Sequence, residues 1–210
     1  MKISLKPLWA ALVLLVCCQA LCQESEPFEK PNLAYQGPTN AVVLIIRHAE
    51  KPEKSETDVQ LNPKGYQRAK AYVDYFKSYQ LDGKPLKLDY LFAATDSNNS
   101  HRPRLTIEPL SQALQLRINT NFSDKKPMIL ADELHVKDHG HQILVAWRHS
   151  GIPKLIAALG ADPAKLLPAP RWPEEVFDWV IELHYDQNGK LLPTESRRLN
   201  EKLMPGDAAN

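Results

Sequence analysis

The amino-acid sequence predicts an α/β/α sandwich, in which a mostly parallel central sheet carries helices on both faces. Two apolar runs, "VVLII" at 42–46 and "ILVAW" at 143–147, are typical of central parallel strands that are buried on both sides. Each run is followed by a segment with helical periodicity. Strands that alternate with helices in this way build a three-layer α/β domain.

The elements follow one another in a regular order. Behind the first strand, Asn62 is a typical helix cap and Pro63 suits the first helical turn. Apolar side chains then recur at helical spacing at Tyr66, Ala69, Val73 and Phe76. "LDYLFAAT" at 88–95 predicts a second strand, and "RPRLTIEPLSQAL" at 102–114 predicts a helix with an internal proline. After the strand at 143–147 comes helical "IPKLIAALG", and "EVFDWVIELHYDQNGKLLP" at 175–193 predicts strands around an Asn-Gly hairpin turn.

Four segments are predicted: a signal peptide at 1–22, a linker at 23–40, one folded domain at 41–195 and a tail at 196–210. Lys2 and Lys6 precede the apolar run "LWAALVLLVCC", and small residues follow, which is the secretory order. The run is shorter than the roughly 20 apolar residues that span a bilayer. We therefore expect export to the periplasm or the medium, with membrane attachment only if this segment stays uncleaved. The oligomeric state is left open.

The charges argue against one class of partner. The chain has 26 Lys and Arg against 25 Asp and Glu, a formal net charge of +1, and no run of basic residues. Nucleic-acid binding is not expected from such a balance.

Two central strands end in the same dipeptide. Arg47-His48 follows the first strand and Arg148-His149 follows the strand at 143–147. Open α/β sheets bind their ligands at the carboxyl ends of the strands. The pattern therefore predicts a site that contains both histidines.

A polar loop, "TDSNNSHRPRLT" at 95–106, supplies a second arginine. Arg102 heads the predicted helix, and Ser97 and Ser100 bring hydroxyl groups close to the helix start. A guanidinium beside backbone N–H groups binds phosphate well, because it is permanently charged and donates two parallel hydrogen bonds. Lys51 either adds positive charge for an acidic substrate or is an ordinary solvated lysine.

Four motifs together resemble the histidine phosphatase superfamily, whose fold is called phosphoglycerate mutase-like: "RHAEKP", "LNPKGYQRA", "SNNSHRPRLTIEPL" and "VAWRHSGIPKLIAALG". The short spacings resemble the compact branch of that superfamily. The resemblance implies a phosphate pocket formed by two arginines and two histidines, and it implies no metal and no organic cofactor. These residues are Arg47, His48, Arg102 and His149.

The expected chemistry is hydrolysis of a phosphomonoester carried by a small molecule or a macromolecule. Neutral His48 attacks phosphorus and becomes a phosphohistidine, and the other three pocket residues stabilise the equatorial oxygens. Water then releases phosphate. Two alternatives stay open: a mutase-type phosphotransferase, and a noncatalytic relative that binds a phosphorylated ligand.

The proton donor for the leaving group is less well defined by the sequence. The resemblance points to Glu133 in "LADELHVKD", which also fits the solvated face of a helix. Glu50, two residues after the nucleophile, is the alternative.

Two further clusters are interpreted as structural. His135, His139 and His141 have spacings that zinc could use, but no cysteine is near and the stretch reads as a solvated turn. Trp172, Phe177 and Trp179 are expected to cover the sheet edge rather than to stack on a substrate.

Overall fold

The structure, a computed structural model, describes residues 38–52, 59–169 and 171–207. Helices and strands follow one another in this order: β1 (Val42–Arg47), α1 (Pro63–Ser78), β2 (Gln80–Leu81), β3 (Lys84–Pro85), β4 (Tyr90–Ala94), α2 (Arg102–Leu114), β5 (Ile118–Phe122), α3 (Pro127–Val136), β6 (Gln142–Trp147), α4 (Ile152–Ala158), α5 (Pro163–Leu166), β7 (Trp179–His184) and β8 (Arg197–Asn200).

A six-stranded sheet forms the centre of the domain, with strand order β5-β4-β6-β1-β7-β8. The first four strands in that order are parallel to one another. β7 and β8 pair antiparallel at one edge of the sheet. The predicted fold class, a mostly parallel α/β sheet, is therefore confirmed.

Each face of the sheet has its own apolar core, because successive strand residues point to opposite sides. Val43 and Ile45 of β1 belong to the core that also contains residues of α3 and α4. Leu44 and Ile46 belong to the core that contains residues of α1 and α2. Helices thus cover both faces, as the uninterrupted apolar strands predicted.

The start of α1 is built as its sequence predicts. The Asn62 side chain accepts a hydrogen bond of 2.8 Å from the backbone N–H of Gly65, and Pro63 occupies the first helical position. A Cβ atom at Gly65 would lie only 2.5 Å from the carbonyl oxygen of Glu50. The glycine therefore lets α1 pack directly against the backbone that follows β1.

Several elements differ from the sequence-based expectation. The edge strand β5 and the small β2–β3 hairpin were not predicted, because their residues lack a clear apolar alternation. The turn at Asn188-Gly189 does form, with Tyr185 bridging Leu191, but the strand that pairs with β7 is the later β8. Because β8 completes the sheet, the folded domain extends beyond the predicted boundary at residue 195.

The predicted signal peptide and nearly all of the predicted linker lie outside the described residues. Within the part of the chain that the structure describes, no helix is both long enough and apolar enough to cross a membrane.

Candidate active site

The two predicted histidines meet at the carboxyl edge of the sheet. β1 and β6 are adjacent and parallel, with Arg47 opposite Trp147. The His48 backbone N–H continues this pairing by donating to the Trp147 carbonyl at 2.9 Å. As a result, the rings of His48 and His149 lie 6.2 Å apart between centroids, at 74° to each other.

The orientation of the His48 ring suits a nucleophile. The side chain is 3% exposed, and its Nδ1 lies 2.8 Å from the carbonyl oxygen of Ala49. Because a carbonyl can only accept, Nδ1 carries the hydrogen and Nε2 keeps its lone pair. Burial lowers the pKa of His48 well below 6.5, and the positive charges of Arg47 and Arg102 lower it further. The imidazole is therefore neutral at pH 7.

Arg47 is a fully buried cation, and two of its nitrogen donors have no hydrogen-bond partner among the described residues. Its Nη1 lies 3.1, 2.6 and 2.8 Å from the carbonyl oxygens of Pro173, Glu174 and Val176, and the Phe177 ring covers the guanidinium at 3.8 Å. Burial lowers its pKa to about 10, so it keeps its charge at pH 7. These two nitrogen donors are Nε and Nη2. Buried donors of this kind are normally satisfied, so these two donors are available to hold an anion.

Arg102 is the first residue of α2 and contributes charge to the same region. Its positive charge lowers the pKa values of His48, Arg47 and His149. The Arg102 side chain is oriented by a 3.2 Å hydrogen bond from Nη2 to the carbonyl oxygen of Asn99.

Thr106 connects this helix to the nucleophile. Its hydroxyl accepts from the Ala49 backbone N–H at 2.8 Å and donates to the Arg102 carbonyl at 2.8 Å. Thr106 is fully buried. Thr106 thus links the loop that follows β1 to the first residue of α2.

His149 is partly exposed at the mouth of the pocket. Burial, followed by the charge of Arg47, lowers its pKa to about 4. At pH 7 it is a neutral imidazole, which can donate one hydrogen bond to a phosphate oxygen. Its buried Nδ1 atom makes no hydrogen bond to any residue that the structure describes.

Glu133, the first predicted proton donor, is not brought to the histidine pair. Its carboxylate contacts Lys137 at 3.1 Å and His139 at 3.2 Å. The His139 ring packs 4.5 Å from the ring of Tyr90, the first residue of β4. His139 also packs 5.2 Å from the Phe92 ring, so the Glu133–His139 pair lies towards the amino end of β4 and not at its carboxyl end.

Glu50, the alternative donor, lies close to His48 in sequence but its carboxylate is bound elsewhere. Arg68 donates to both of its oxygens, with Nη2 at 2.9 Å and Nε at 3.1 and 3.2 Å. Lys64 adds a longer ion pair at 3.8 Å. Both oxygens of Glu50 are thus engaged by cations of α1.

The two predicted substrate-binding serines have partners within the protein. The buried Ser100 hydroxyl accepts from the Arg102 backbone N–H at 3.3 Å. The Ser97 hydroxyl accepts from Arg148 Nη2 at 2.7 Å. Lys51 is exposed, and its positive charge lowers the pKa of His149.

A cavity of about 660 Å³ opens beside His149. Besides His149, Ser150 and Ala169, its wall consists of residues 171–175. In that segment Trp172 is buried, donates from its indole N–H to the Val176 carbonyl at 2.8 Å and packs 5.2 Å from Trp179. Trp172 thus packs against the sheet and stabilises the segment 171–176. This wall was not predicted, because its only signal in the sequence is a short charged stretch between aromatic residues.

Two of the histidines in the stretch 135–141 contact other groups of the protein. His139 pairs with Glu133, and the exposed His141 lies 3.4 Å from the Thr39 carbonyl through its Nδ1 atom. The described part of the chain contains no group of three or more His, Cys, Asp or Glu residues arranged to hold a metal ion.

Comparison with solved structures identifies the fold. The crystal structure of phosphoglycerate mutase from Bacillus anthracis str. Sterne is similar at a TM-score of 0.53 and 12% sequence identity, covering 76% of this chain and 93% of that chain. This chain has the phosphoglycerate mutase-like fold. Weaker likenesses include the alpha-ribazole phosphatase from Shigella flexneri, with a TM-score of 0.48, 12% identity, and 76% and 99% coverage. They also include a phosphoserine phosphatase mutant from Entamoeba histolytica, with a TM-score of 0.47, 14% identity, and 72% and 94% coverage.

No family model matches the sequence, and no curated protein matches it. The phosphoglycerate mutase-like fold explains why the two histidines meet, because its parallel strands place their carboxyl ends side by side. The activity has to be argued from the side chains themselves.

Proposed function

We propose that this protein is a histidine phosphatase, a phosphomonoesterase that works through a phosphohistidine at His48. The observation that carries the proposal is the hydrogen bond between His48 Nδ1 and the Ala49 carbonyl, at 2.8 Å in a buried site. It leaves a neutral Nε2 lone pair beside a buried arginine that has two unassigned donors. A nucleophile next to an anion-binding group is what phosphoryl transfer requires.

The reaction has two steps. In the first, Nε2 of His48 attacks phosphorus while the bond from phosphorus to the ester oxygen breaks, and that bonding pair leaves with the oxygen. In the second, water attacks the phosphohistidine, and the nitrogen–phosphorus bond breaks to return the pair to Nε2. Arg47, Arg102 and His149 stabilise the charge on the three equatorial oxygens in both steps.

The fixed tautomer and the lowered pKa of His48 support a catalytic role over a purely ligand-binding one. A binding pocket needs positive charge, but it does not need an imidazole whose tautomer is set and whose pKa is lowered by burial. The neutral form costs the pocket some attraction for phosphate. It is useful only if the ring attacks phosphorus.

The test compares two histidine variants on a panel of phosphosugars, nucleotides, phosphopeptides and 4-nitrophenyl phosphate. His48→Ala should abolish phosphate release from every substrate that the parent hydrolyses. Its matched control is His141→Ala, since His141 is exposed at the opposite end of β6 and should retain parental turnover. Intact-protein mass measured during turnover at neutral pH should show one added phosphoryl group in the parent and none in His48→Ala. Near-parental turnover by His48→Ala would refute the covalent mechanism.

We also propose that the protein is exported, on the strength of the sequence order at residues 1–22 alone. When the full chain is expressed in a host with a secretory pathway, the protein recovered outside the cytoplasm should have lost these residues. Amino-terminal sequencing checks this. Recovery of the intact chain from the cytoplasmic fraction would contradict the proposal.

A further inference from the structure

The reaction proposed above needs a proton for the departing oxygen, and the two carboxylates predicted from sequence are both occupied elsewhere. Glu50 is bound by Arg68, and Glu133 lies in an ion pair at the amino end of β4. Asp124, which lies near the carboxyl edge, is 3.3 Å from the Arg148 guanidinium. A proton donor has to be sought among carboxylates that face the cavity without such a partner.

The loop that wraps around Arg47 brings one such group. The Glu174 carbonyl oxygen lies 2.6 Å from Arg47 Nη1, and its neighbours Pro173 and Val176 contact the same nitrogen. Since Arg47 is fully buried, these bonds hold the Glu174 backbone in a defined position next to the anion-binding guanidinium.

Glu174 also belongs to the wall of the cavity beside His149, and its side chain is exposed. Its negative charge raises the pKa values of both Arg47 and His149, and at Arg47 its effect is the largest of any charged neighbour. Glu175, the next residue, acts on Arg47 more weakly. No cation in the described part of the chain lies within ion-pair distance of the Glu174 carboxylate.

We propose that Glu174 is the proton donor to the leaving group, an inference that rests on the proposed phosphatase function. As the ester bond breaks, the electron pair on the departing oxygen takes the proton of the Glu174 carboxyl group. The resulting carboxylate then accepts a proton from the water that attacks the phosphohistidine, which restores the starting state.

The proposal predicts a loss that depends on the leaving group. Alkoxide leaving groups, as in glycerol phosphate, need a proton, whereas 4-nitrophenolate departs with little help. Glu174→Gln should therefore lower kcat/KM for glycerol phosphate by roughly a hundredfold or more, the usual contribution of general acid catalysis. For 4-nitrophenyl phosphate the change should be only a few-fold. Across a series of phosphate esters, the rate should depend much more steeply on leaving-group pKa in the variant than in the parent.

Glu175→Gln is the matched control. It makes the same chemical change one residue away on the same cavity wall, so it removes the same charge without removing the donor. The ratio of the two substrate rates should stay at the parental value. Thermal unfolding of both variants verifies that the loop is intact, and because only the Glu174 carbonyl binds Arg47, the Gln side chain leaves that contact in place.

Three results would overturn the inference. Equal slowing of both substrates by Glu174→Gln would mean weaker phosphate binding, and no slowing would mean that another group supplies the proton. A selective loss of the same size in Glu175→Gln would mean that the effect comes from the cavity charge. Failure of the proposed function looks different: the parent itself would form no phosphohistidine and would hydrolyse neither substrate.

Discussion

Arg68 is the buried cation on which the nucleophile loop and the end of the chain both depend. It is 1% exposed, and its Nη2 lies 2.9 Å from a Glu50 oxygen and 2.5 Å from an Asp207 oxygen. Glu201 lies 3.6 Å away on the Nη1 side. Burial opposes its charge, but the hydrogen bonds to Asp207 and Glu50 outweigh that effect and raise the pKa of Arg68.

Replacing this cation should be costly. Arg68→Met keeps a long apolar side chain but leaves the carboxylates of Glu50 and Asp207 without their main partner, in positions where water reaches them poorly. Breaking a buried ion pair from one side costs about 3–5 kcal/mol. Because Glu50 follows the nucleophile by two residues, the variant should also lose turnover at temperatures where it is still folded.

The assay is urea unfolding at pH 7, with Arg104→Met as the matched control. Arg104 also pairs with two carboxylates, Asp96 at 2.9 Å and Glu108 at 3.0 Å, but its side chain is 29% exposed. Partly exposed pairs contribute about 0–1 kcal/mol. Adding Glu50→Gln and Asp207→Asn to Arg68→Met should recover part of the lost stability by removing the unpaired charges. A loss at Arg68 no larger than the loss at Arg104 would refute the reasoning.

Three other predictions concern single groups. Thr106→Val leaves the buried Ala49 N–H without an acceptor, so it should lower the free energy of unfolding in urea by about 1–3 kcal/mol and also lower kcat. Thr106→Ser keeps the hydroxyl and should retain the stability and the kcat of the parent. Equal loss in the two variants would contradict this prediction. Burial raises the pKa of Glu201 well above 4.5, so the stability that its protonated form contributes is present at low pH and is lost as pH rises. Glu201→Gln should therefore show a smaller decline in Tm between pH 5 and pH 8 than the parent. An unchanged decline would refute this prediction. The pKa of His149 is lowered from 6.5 to about 4, so as pH drops the unfolded state takes up a proton before the folded state does, and Tm should fall through that interval. In His149→Asn the fall in Tm should be smaller. A fall in Tm equal to that of the parent would contradict the lowered pKa.

The sequence was sufficient where a signal is local. Both faces of β1 and β6 are buried, so these strands are apolar without interruption and are recognised as central parallel strands. The Asn62-Pro63 start of α1 is recognised because a cap depends on only four consecutive residues. The sequence also places His48 and His149 at one edge of the sheet, since parallel strands end at the same edge, but that β1 and β6 are neighbours is decided by the tertiary structure.

The edge strands were harder to predict. β5 contains Asn119, Thr120 and Asn121, and it is a strand only because the open side of β4 offers it hydrogen bonds. β8 lies beyond the Asn-Gly turn that had been expected to define the hairpin, and pairs with β7 through residues that had been assigned to a tail. In both cases the partner strand, and not the segment's own pattern, decides the structure.

By itself, the sequence determined the fold class, the carboxyl edge at which the site lies, and the residues Arg47, His48 and His149 that stand there. These features depend on the pattern of apolar residues along each strand and on the direction of the chain, and both can be read from consecutive residues. Only the tertiary structure decided what each carboxylate does. Glu50 follows His48 by only two residues, yet its carboxylate is bound by Arg68. Glu174 is 126 residues from His48, yet its carbonyl oxygen lies 2.6 Å from Arg47 Nη1. The physical reason is that a carboxylate's role depends on the charges and water around it, and folding brings those neighbours from distant parts of the chain.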